Sequence, residues 1–304
     1  MRFSPNWKGE NAEGTTAARV GPMACLMAAR TESKDRMAEN ASPTDHSSRL
    51  LELLRRVGRE ESGTVGFGRP RQGPARRAAL VLAAALPSAT PEYLTAARDA
   101  GADAAFVPVT TDVAAVASTG DGASWPVCGL ATVTQRVTPA DLDVWQAAGI
   151  DAVALQPRDA LAACFSPRRQ GLLALLDQQL PLEGLRAAAA LTVDAFVLQD
   201  TQQAGRLTGD DLLWLTLAGS LVRGPAMLLS SRVVAEDLEA LVAVGITGIA
   251  VRFDDGSAVE QVRQTLAELR RAVDSLDPHL WQGRRERTGL GPVTIPSGIP
   301  LGEA

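Results

Sequence analysis

Arg232 to Asp255 reads RVVAEDLEALVAVGITGIAVRFDD, and this stretch decides the fold. Leu238, Leu241, Val242 and Gly245 recur at helical spacing. Gly245 stands where a helix end wants a residue able to take positive φ. Gly248 to Phe253 then runs apolar on both faces, as a parallel strand covered on both sides does. The unit is helix, glycine turn, buried strand.

Working outward, the same phrase returns as AARDAGADAAFVPV and VWQAAGIDAVALQP, and LRAAAALTVDAFVLQD is a fourth copy without the glycine. Candidate strands are Ala79–Ala85, Ala104–Val109, Val127–Val133, Ala152–Gln156, Leu172–Leu176, Ala195–Gln199, Ala226–Ser230 and Gly248–Phe253. Helix starts lie between them. Thr90-Pro91-Glu92 and Thr138-Pro139-Ala140-Asp141 each pair a capping threonine with a proline in the first turn. Thr208 to Asp211 and Ala235-Glu236-Asp237 open two more. Short helices are expected at Asp112–Ser118 and Asp159–Phe165, and a long last one from about Ser257 to Leu276. Eight strands alternating with helices over about 200 residues is the pattern of a single (β/α)8 TIM barrel. An open doubly wound sheet is the alternative, but the first strand-to-helix turn, LPSATP, carries no GxGxxG fingerprint.

The barrel is expected over residues 78–276. Residues 1–44 are polar and aperiodic and read as a disordered extension, with Met37, Met23 or Met27 as possible natural starts. Residues 45–77 hold one helix, about Ser48 to Val57, capped by Thr44 or Ser47, and then a linker rich in Arg and Gly. In that linker Arg69, Arg71, Arg76 and Arg77 form either an anion site or, more simply, a solvated basic loop. Residues 277–304 return to Pro, Gly and Arg as a flexible tail, with Trp281 a candidate anchor.

Composition limits the chemistry. A net charge of −5 over 304 residues gives no basic surface for nucleic acid. No apolar run reaches the roughly 18 residues of a membrane helix, so no membrane partner is expected. Three separated cysteines, Cys25, Cys128 and Cys164, fit free thiols in a reducing cytoplasm. The lysines are Lys8 and Lys34 and the histidines His46 and His279, all outside 78–276. The barrel therefore offers no Schiff-base lysine and no histidine base or ligand. Zinc and covalently held pyridoxal phosphate are not expected, flavin is not favoured, and no cofactor is named by the residues.

EDLEALVAVGITGIAVRF resembles the passage from the seventh helix to the eighth strand of phosphate-binding TIM barrels. Indole-3-glycerol-phosphate synthase and the flavin-binding barrels carry similar phrases, and AGADAAFVPV resembles them too. The resemblance covers residues 78 to 276 as a rhythm and implies the fold. It also implies a phosphate site after strands seven and eight, built on glycine backbone. Here those positions hold Ser230, Ser231 and Arg232, then Phe253, Asp254 and Asp255. Side chains obstruct the close approach that glycine permits, and two carboxylates repel an anion. The synthase's catalytic lysines have no counterpart.

In such a barrel, function belongs at the C-terminal ends of the strands. The residues there are Thr110 and Asp112, Thr134 to Arg136, Gln156 and Arg158, Asp177 and Gln178, Gln199 and Asp200, Ser231 and Arg232, and Arg252 and Asp254. Asp177 and Asp200 come from adjacent strands. They are the candidate catalytic pair, since close carboxylates push one pKa upward; solvated or arginine-paired carboxylates are the plainer account. Gln156, Gln199, Arg232 and Arg252 are the candidate ligand-binding residues, with polar plugs in the mouth as the alternative for the glutamines. Cys128, Cys164 and Tyr93 read as packing. No metal set is legible. Two functions follow: a protein that binds or converts a small polar metabolite at the C-terminal face, or a catalytically inactive barrel acting as a scaffold or partner-binding protein. Oligomeric state leaves no mark on the sequence.

Overall fold

Eight parallel strands close on themselves in chain order in the computed structural model. They are β1 (Val81–Ala85), β2 (Ala104–Val109), β3 (Val127–Ala131), β4 (Val153–Leu155), β5 (Leu172–Asp177), β6 (Ala195–Gln199), β7 (Ala226–Ser230) and β8 (Gly248–Arg252). The helices are α1 (Arg49–Arg56), α2 (Pro91–Asp99), α3 (Pro139–Ala147), α4 (Leu182–Ala188), α5 (Gly209–Leu221), α6 (Leu238–Val244) and α7 (Val259–Ser275). The structure describes residues 48–57, 79–109, 125–131, 136–166, 171–202, 204–222, 224–277 and 280, all within the unit His46–Ala304. The expected termini, the 59–77 linker, Trp281, the short helix at 112–118, and Thr110, Asp112, Thr134 and Gln135 lie outside the described residues. The ring is closed, so the open-sheet alternative falls.

The recurring phrase builds one device three times. Gly101, Gly149 and Gly245 have φ of +88°, +92° and +94°. Behind each, an N–H reaches five residues back: Ala102 to Ala97, Ile150 to Trp145 and Ile246 to Leu241. This left-handed cap satisfies carbonyls at the helix end and turns the chain into the next strand. The copy without glycine ends differently. Ala190 and Leu191 donate to Ala187 and Ala188, a tightened turn that needs no positive φ.

Helix starts follow the sequence in the main. Thr138 with Asp141 and Thr208 with Asp211 form reciprocal capping boxes. Thr90 caps α2 without a side-chain hydrogen bond, and Pro91 opens the helix. Two expectations need correction. The stretch Asp159–Phe165 is not one helix but two 3-10 turns, Pro157–Asp159 and Ala162–Phe165. The Asp159 carbonyl and Leu161 N–H are engaged with Val137 across the loop, so they cannot join a helical ladder. The cap of α1 is neither Thr44 nor Ser47. Ser48 is the N-cap, and its Oγ accepts from Leu51 N–H.

The barrel's inner face is set by strand alternation. Val81, Ala83, Ala85, Ala104, Phe106, Cys128, Leu173, Leu175, Val197, Met227, Leu229 and Ala250 pack together inside, while Leu80, Leu82, Val107, Ala174, Leu198 and Leu228 pack on the helices. Carried once around the ring, the strand registers return about eight residues out of step, as eight tilted strands require. Inward residues of alternate strands therefore share a height. The lowest layer is Ala104, Ala152, Ala195 and Gly248, all small. Next above Ala83, Cys128, Leu173 and Met227 come Phe106, Ala154, Val197 and Ala250.

The small bottom layer makes room for α1. Leu50, Leu51 and Leu54 are 0–2% exposed and pack with the inner-face residues. A Cβ on Gly248 would come within 3.1 Å of Leu54. Asp151, just before β4, accepts from Ser48 Oγ at 2.7 Å, Arg49 N–H at 2.9 Å and Leu50 N–H at 3.0 Å. A carboxylate there satisfies orphan donors and meets the positive end of the helix dipole. Arg55 adds a half-exposed pair to Asp194 at 3.5 Å. The N-terminal helix plugs the N-terminal end of the barrel; the C-terminal ends of the strands form the mouth.

Candidate functional site

The upper interior is apolar and then turns polar. Ala85, Leu130, Leu175 and Leu229 form the last apolar layer by register. Above it the even-numbered strands contribute Pro108, Gln156, Gln199 and Arg252, all half-buried. Asp177 stands about one step higher on β5, paired in register with Gln199. Four of the six candidate site residues thus share the inward parity and rim the mouth.

Arg252 is the unusual member. Burial lowers its pKa, and the carboxylates of Asp200 and Asp254 act on it only through space. Among the described residues its guanidinium makes no hydrogen bond or ion pair. In the same layer, Gln199 has a buried Oε1 with no hydrogen-bond partner among the described residues. A buried acceptor left unpaired costs about 1–3 kcal/mol. Asp177 uses Oδ1 to accept from Gln179 N–H at 2.8 Å.

The other two candidates, Asp200 and Arg232, lie together in a separate cluster. Leu228 and Ser230 point away from the interior, and Arg232 follows that outward parity. Arg232 is 4% exposed and donates through Nε to Asp200 Oδ2 at 2.7 Å and through a terminal nitrogen to the Arg206 carbonyl at 2.8 Å. Its other terminal nitrogen lies 3.1 Å from Asp211 Oδ2. Asp200 also accepts from Ser230 Oγ at 2.6 Å and Gln202 N–H at 2.9 Å. The cluster ties the ends of β6 and β7 to the start of α5.

Its electrostatics are those of a structural network, in which Arg232 Nη2 is ion-paired but makes no hydrogen bond. The hydrogen bond to Asp200 raises the Arg232 pKa against its burial. Burial would raise the Asp211 carboxyl, but the Thr208 N–H, the Gln178 amide, Arg232 and the Thr208 hydroxyl outweigh it and hold the group at about 2. Sequence reasoning ranked Asp211 only as a helix cap. Its second role was invisible because Arg232 lies 21 positions away in the chain. Asp177 and Asp200, adjacent in strand order, occupy opposite faces of the sheet.

The loops after β7 and β8 differ from a glycine phosphate cup. The Arg232 N–H donates to Ser230 Oγ at 3.0 Å, and the Asp254 N–H donates to Ser257 Oγ at 3.1 Å. Asp254 and Asp255 are exposed. Cys128 and Cys164 are buried and in no disulfide; Cys164 Sγ donates to the Val137 carbonyl at 3.4 Å, and desolvation pushes Cys128 upward. Tyr93 donates to the Ser257 carbonyl at 2.7 Å, tying α2 to the approach of α7. Among the described residues no group of three or more His, Cys, Asp and Glu is placed to hold a metal ion. No described helix is long and apolar enough to cross a membrane.

No family model and no curated protein matches the chain. Solved structures do. Tryptophan synthase from Mycobacterium tuberculosis in space group F222 is similar at 15% identity over 75% of this chain and 99% of that one, with a TM-score of 0.51. A mutant tryptophan synthase alpha-subunit from Pyrococcus furiosus matches at 15% identity over 62% and 97%, with a TM-score of 0.51. A protein from Aquifex aeolicus matches at 10% identity over 65% and 95%, with a TM-score of 0.50. At such identities the likeness is one of fold: a TIM barrel.

Proposed function

We propose that this barrel binds, or binds and converts, a small polar metabolite at its C-terminal mouth. Gln156, Asp177, Gln199 and Arg252 are its contacts. Asp200 and Arg232 hold the surrounding loops, and Asp200 adds negative potential near Arg252. The observation that carries the reading is the unpaired, half-buried Arg252 beside the unpaired Oε1 of Gln199. Desolvating a guanidinium without a partner is unfavourable, and a ligand oxyanion that accepts from it offsets that cost. If the bound molecule is converted, Asp177 is the proton-transfer group, as the one carboxylate among the four contacts.

The working unit is taken as residues 78–276 together with α1, with 1–44 and 277–304 dispensable for binding. The test is an unbiased metabolite screen by thermal shift on the full chain and on Arg252→Gln. A hit that stabilises the wild type and not the variant supports the reading; a screen with no hit defeats it.

A scaffold remains the second reading, favoured by one observation. Leu213 and Leu217, one turn apart on α5, are 70% and 42% exposed. An empty screen combined with a partner lost in Leu213→Ser would select it.

A further inference from the structure

The polar layer carries more than a general polar site, because its charges are of both signs and are held apart. Arg252 is on β8 and Asp177 on β5, with β6 and β7 between them. No ion pair joins them among the described residues. We infer that the mouth takes a small zwitterion, an α-amino acid or a compound of the same charge pattern, with its carboxylate on Arg252 and its ammonium on Asp177 and Gln199. This inference rests on the small-ligand reading above and names the class of that ligand.

The acceptors for the ammonium stand side by side. Asp177 and Gln199 are register partners on neighbouring strands, so their backbones lie about 4.8 Å apart. Asp177 Oδ1 is used by Gln179 N–H, leaving Oδ2 without a partner among the described residues. Gln199 Oε1 is buried and also unpaired. Two adjacent acceptors, one of them charged, suit an N–H₃⁺ group, which has three donors and no acceptor. A simple carboxylate would leave both acceptors unsatisfied.

The carboxylate end is supplied by the opposite side. A guanidinium presents a planar fork that binds a carboxylate through two parallel hydrogen bonds. Desolvation of Arg252 strengthens that attraction relative to water. A phosphate ester fits less well. Its two negative charges would meet Asp177 and Asp254 with one arginine to offset them, and Arg232 is already engaged by Asp200 and Asp211.

Size follows from the layers. The floor beneath is Leu130, Leu175 and Leu229, which seats a short aliphatic or methylene portion. Four side chains fill each layer of such a barrel, so a compact molecule matches the span of the polar layer above the floor.

The experiment is calorimetric titration of the full chain with individual small α-amino acids, the matching 2-hydroxy acids and the matching primary amines. The expected result is that one or more amino acids bind, while the partner compounds lacking either charge bind at least about tenfold more weakly. In Asp177→Asn the amino acid should fall to the affinity of its hydroxy analogue, while that analogue binds as to the wild type. A merely misfolded variant would weaken both. In Arg252→Gln the amino acid and the hydroxy acid should both be lost, with the melting temperature of the free protein retained. A hydroxy acid or amine that binds as tightly as the amino acid overturns the zwitterion inference and leaves the small-ligand reading intact. If no compound binds, the inference falls; the metabolite screen then decides the broader reading, which stands on an Arg252-dependent hit of another class and falls without one.

Discussion

Arg232 and Asp200 form a buried ion pair of 2.7 Å, at 2% and 4% side-chain exposure, between the ends of β7 and β6. Ser230 donates to Asp200 and Asp211 lies 3.1 Å from Arg232; the pair follows the outward parity of the strands, and Asp200 acts on Arg252 through space. The pair's geometry makes Arg232 a structural cation, whereas the Arg252 guanidinium, twenty positions later, makes no hydrogen bond or ion pair among the described residues.

Removing Arg232 should therefore cost stability before it costs binding. Arg232→Ala leaves Asp200 and Asp211 buried without their shared cation, a change worth about 3–5 kcal/mol. Urea denaturation should show the unfolding free energy falling by that amount, with the midpoint moving to lower urea. A loss below about 1 kcal/mol would contradict the structural role.

Acid should weaken the same network. The Asp211 carboxyl is held at about 2 against an ordinary 3.8, so its folded-state pKa is depressed. Its contribution is present above the unfolded value and is lost as pH falls through the folded one. The shift corresponds to about 2 kcal/mol. Stability measured between about pH 5 and pH 2 should fall more steeply in the wild type than in Asp211→Asn, which has no such carboxylate to protonate. Parallel curves would rule the linkage out.

The plug at the barrel floor makes a separate prediction. Leu54 is 1% exposed among small inner residues, and Leu54→Ala should cost about 2–5 kcal/mol through the cavity it leaves. Asp151→Asn should mainly speed hydrogen exchange at the Arg49 and Leu50 amides, which its carboxylate accepts. Unchanged exchange there would mean that α1 docks without the aspartate.

Gly245 tests the repeated turn. Its φ of +94° is a region that costs an L-residue about 1–2 kcal/mol. Gly245→Ala should be destabilised by that amount in thermal or chemical denaturation. Ala190→Gly, at the copy that closes without a left-handed residue, should not be stabilised in return.

Phosphorylated ligands should fail at the β7–β8 loops. Arg232 N–H, Nε and Nη1 are hydrogen-bonded and Nη2 is buried at 3.1 Å from Asp211, and Asp254 and Asp255 stand on the other side. Titration with indole-3-glycerol phosphate, ribulose phosphates and flavin mononucleotide should show no micromolar binding. Such binding would restore the phosphate site that the sequence resemblance implies.

Much of this was written locally in the chain. Helical spacing, the glycines at 101, 149 and 245, and the capping pairs Thr138–Asp141 and Thr208–Asp211 are short-range signals. Each acts over a few residues, and eight apolar strand signals set among helix signals leave a closed barrel as the consistent arrangement. Alternation also holds the reason Asp200 does not join Asp177: neighbours in a strand point opposite ways, so Gln199 and Asp200 face apart, which the pairing of Asp177 and Asp200 by adjacent strands left out.

What the tertiary structure decided was which distant residues share a height and a partner. The layer holding Gln156, Gln199 and Arg252 depends on the register between every pair of strands, a property of ring closure and not of any one segment. Asp200, Asp211 and Arg232 meet only because β6, β7 and α5 dock together. Their charges are then desolvated in common, and that fixes two aspartates and an arginine in a structural network while leaving Arg252, identical in chemistry, unpaired at the mouth.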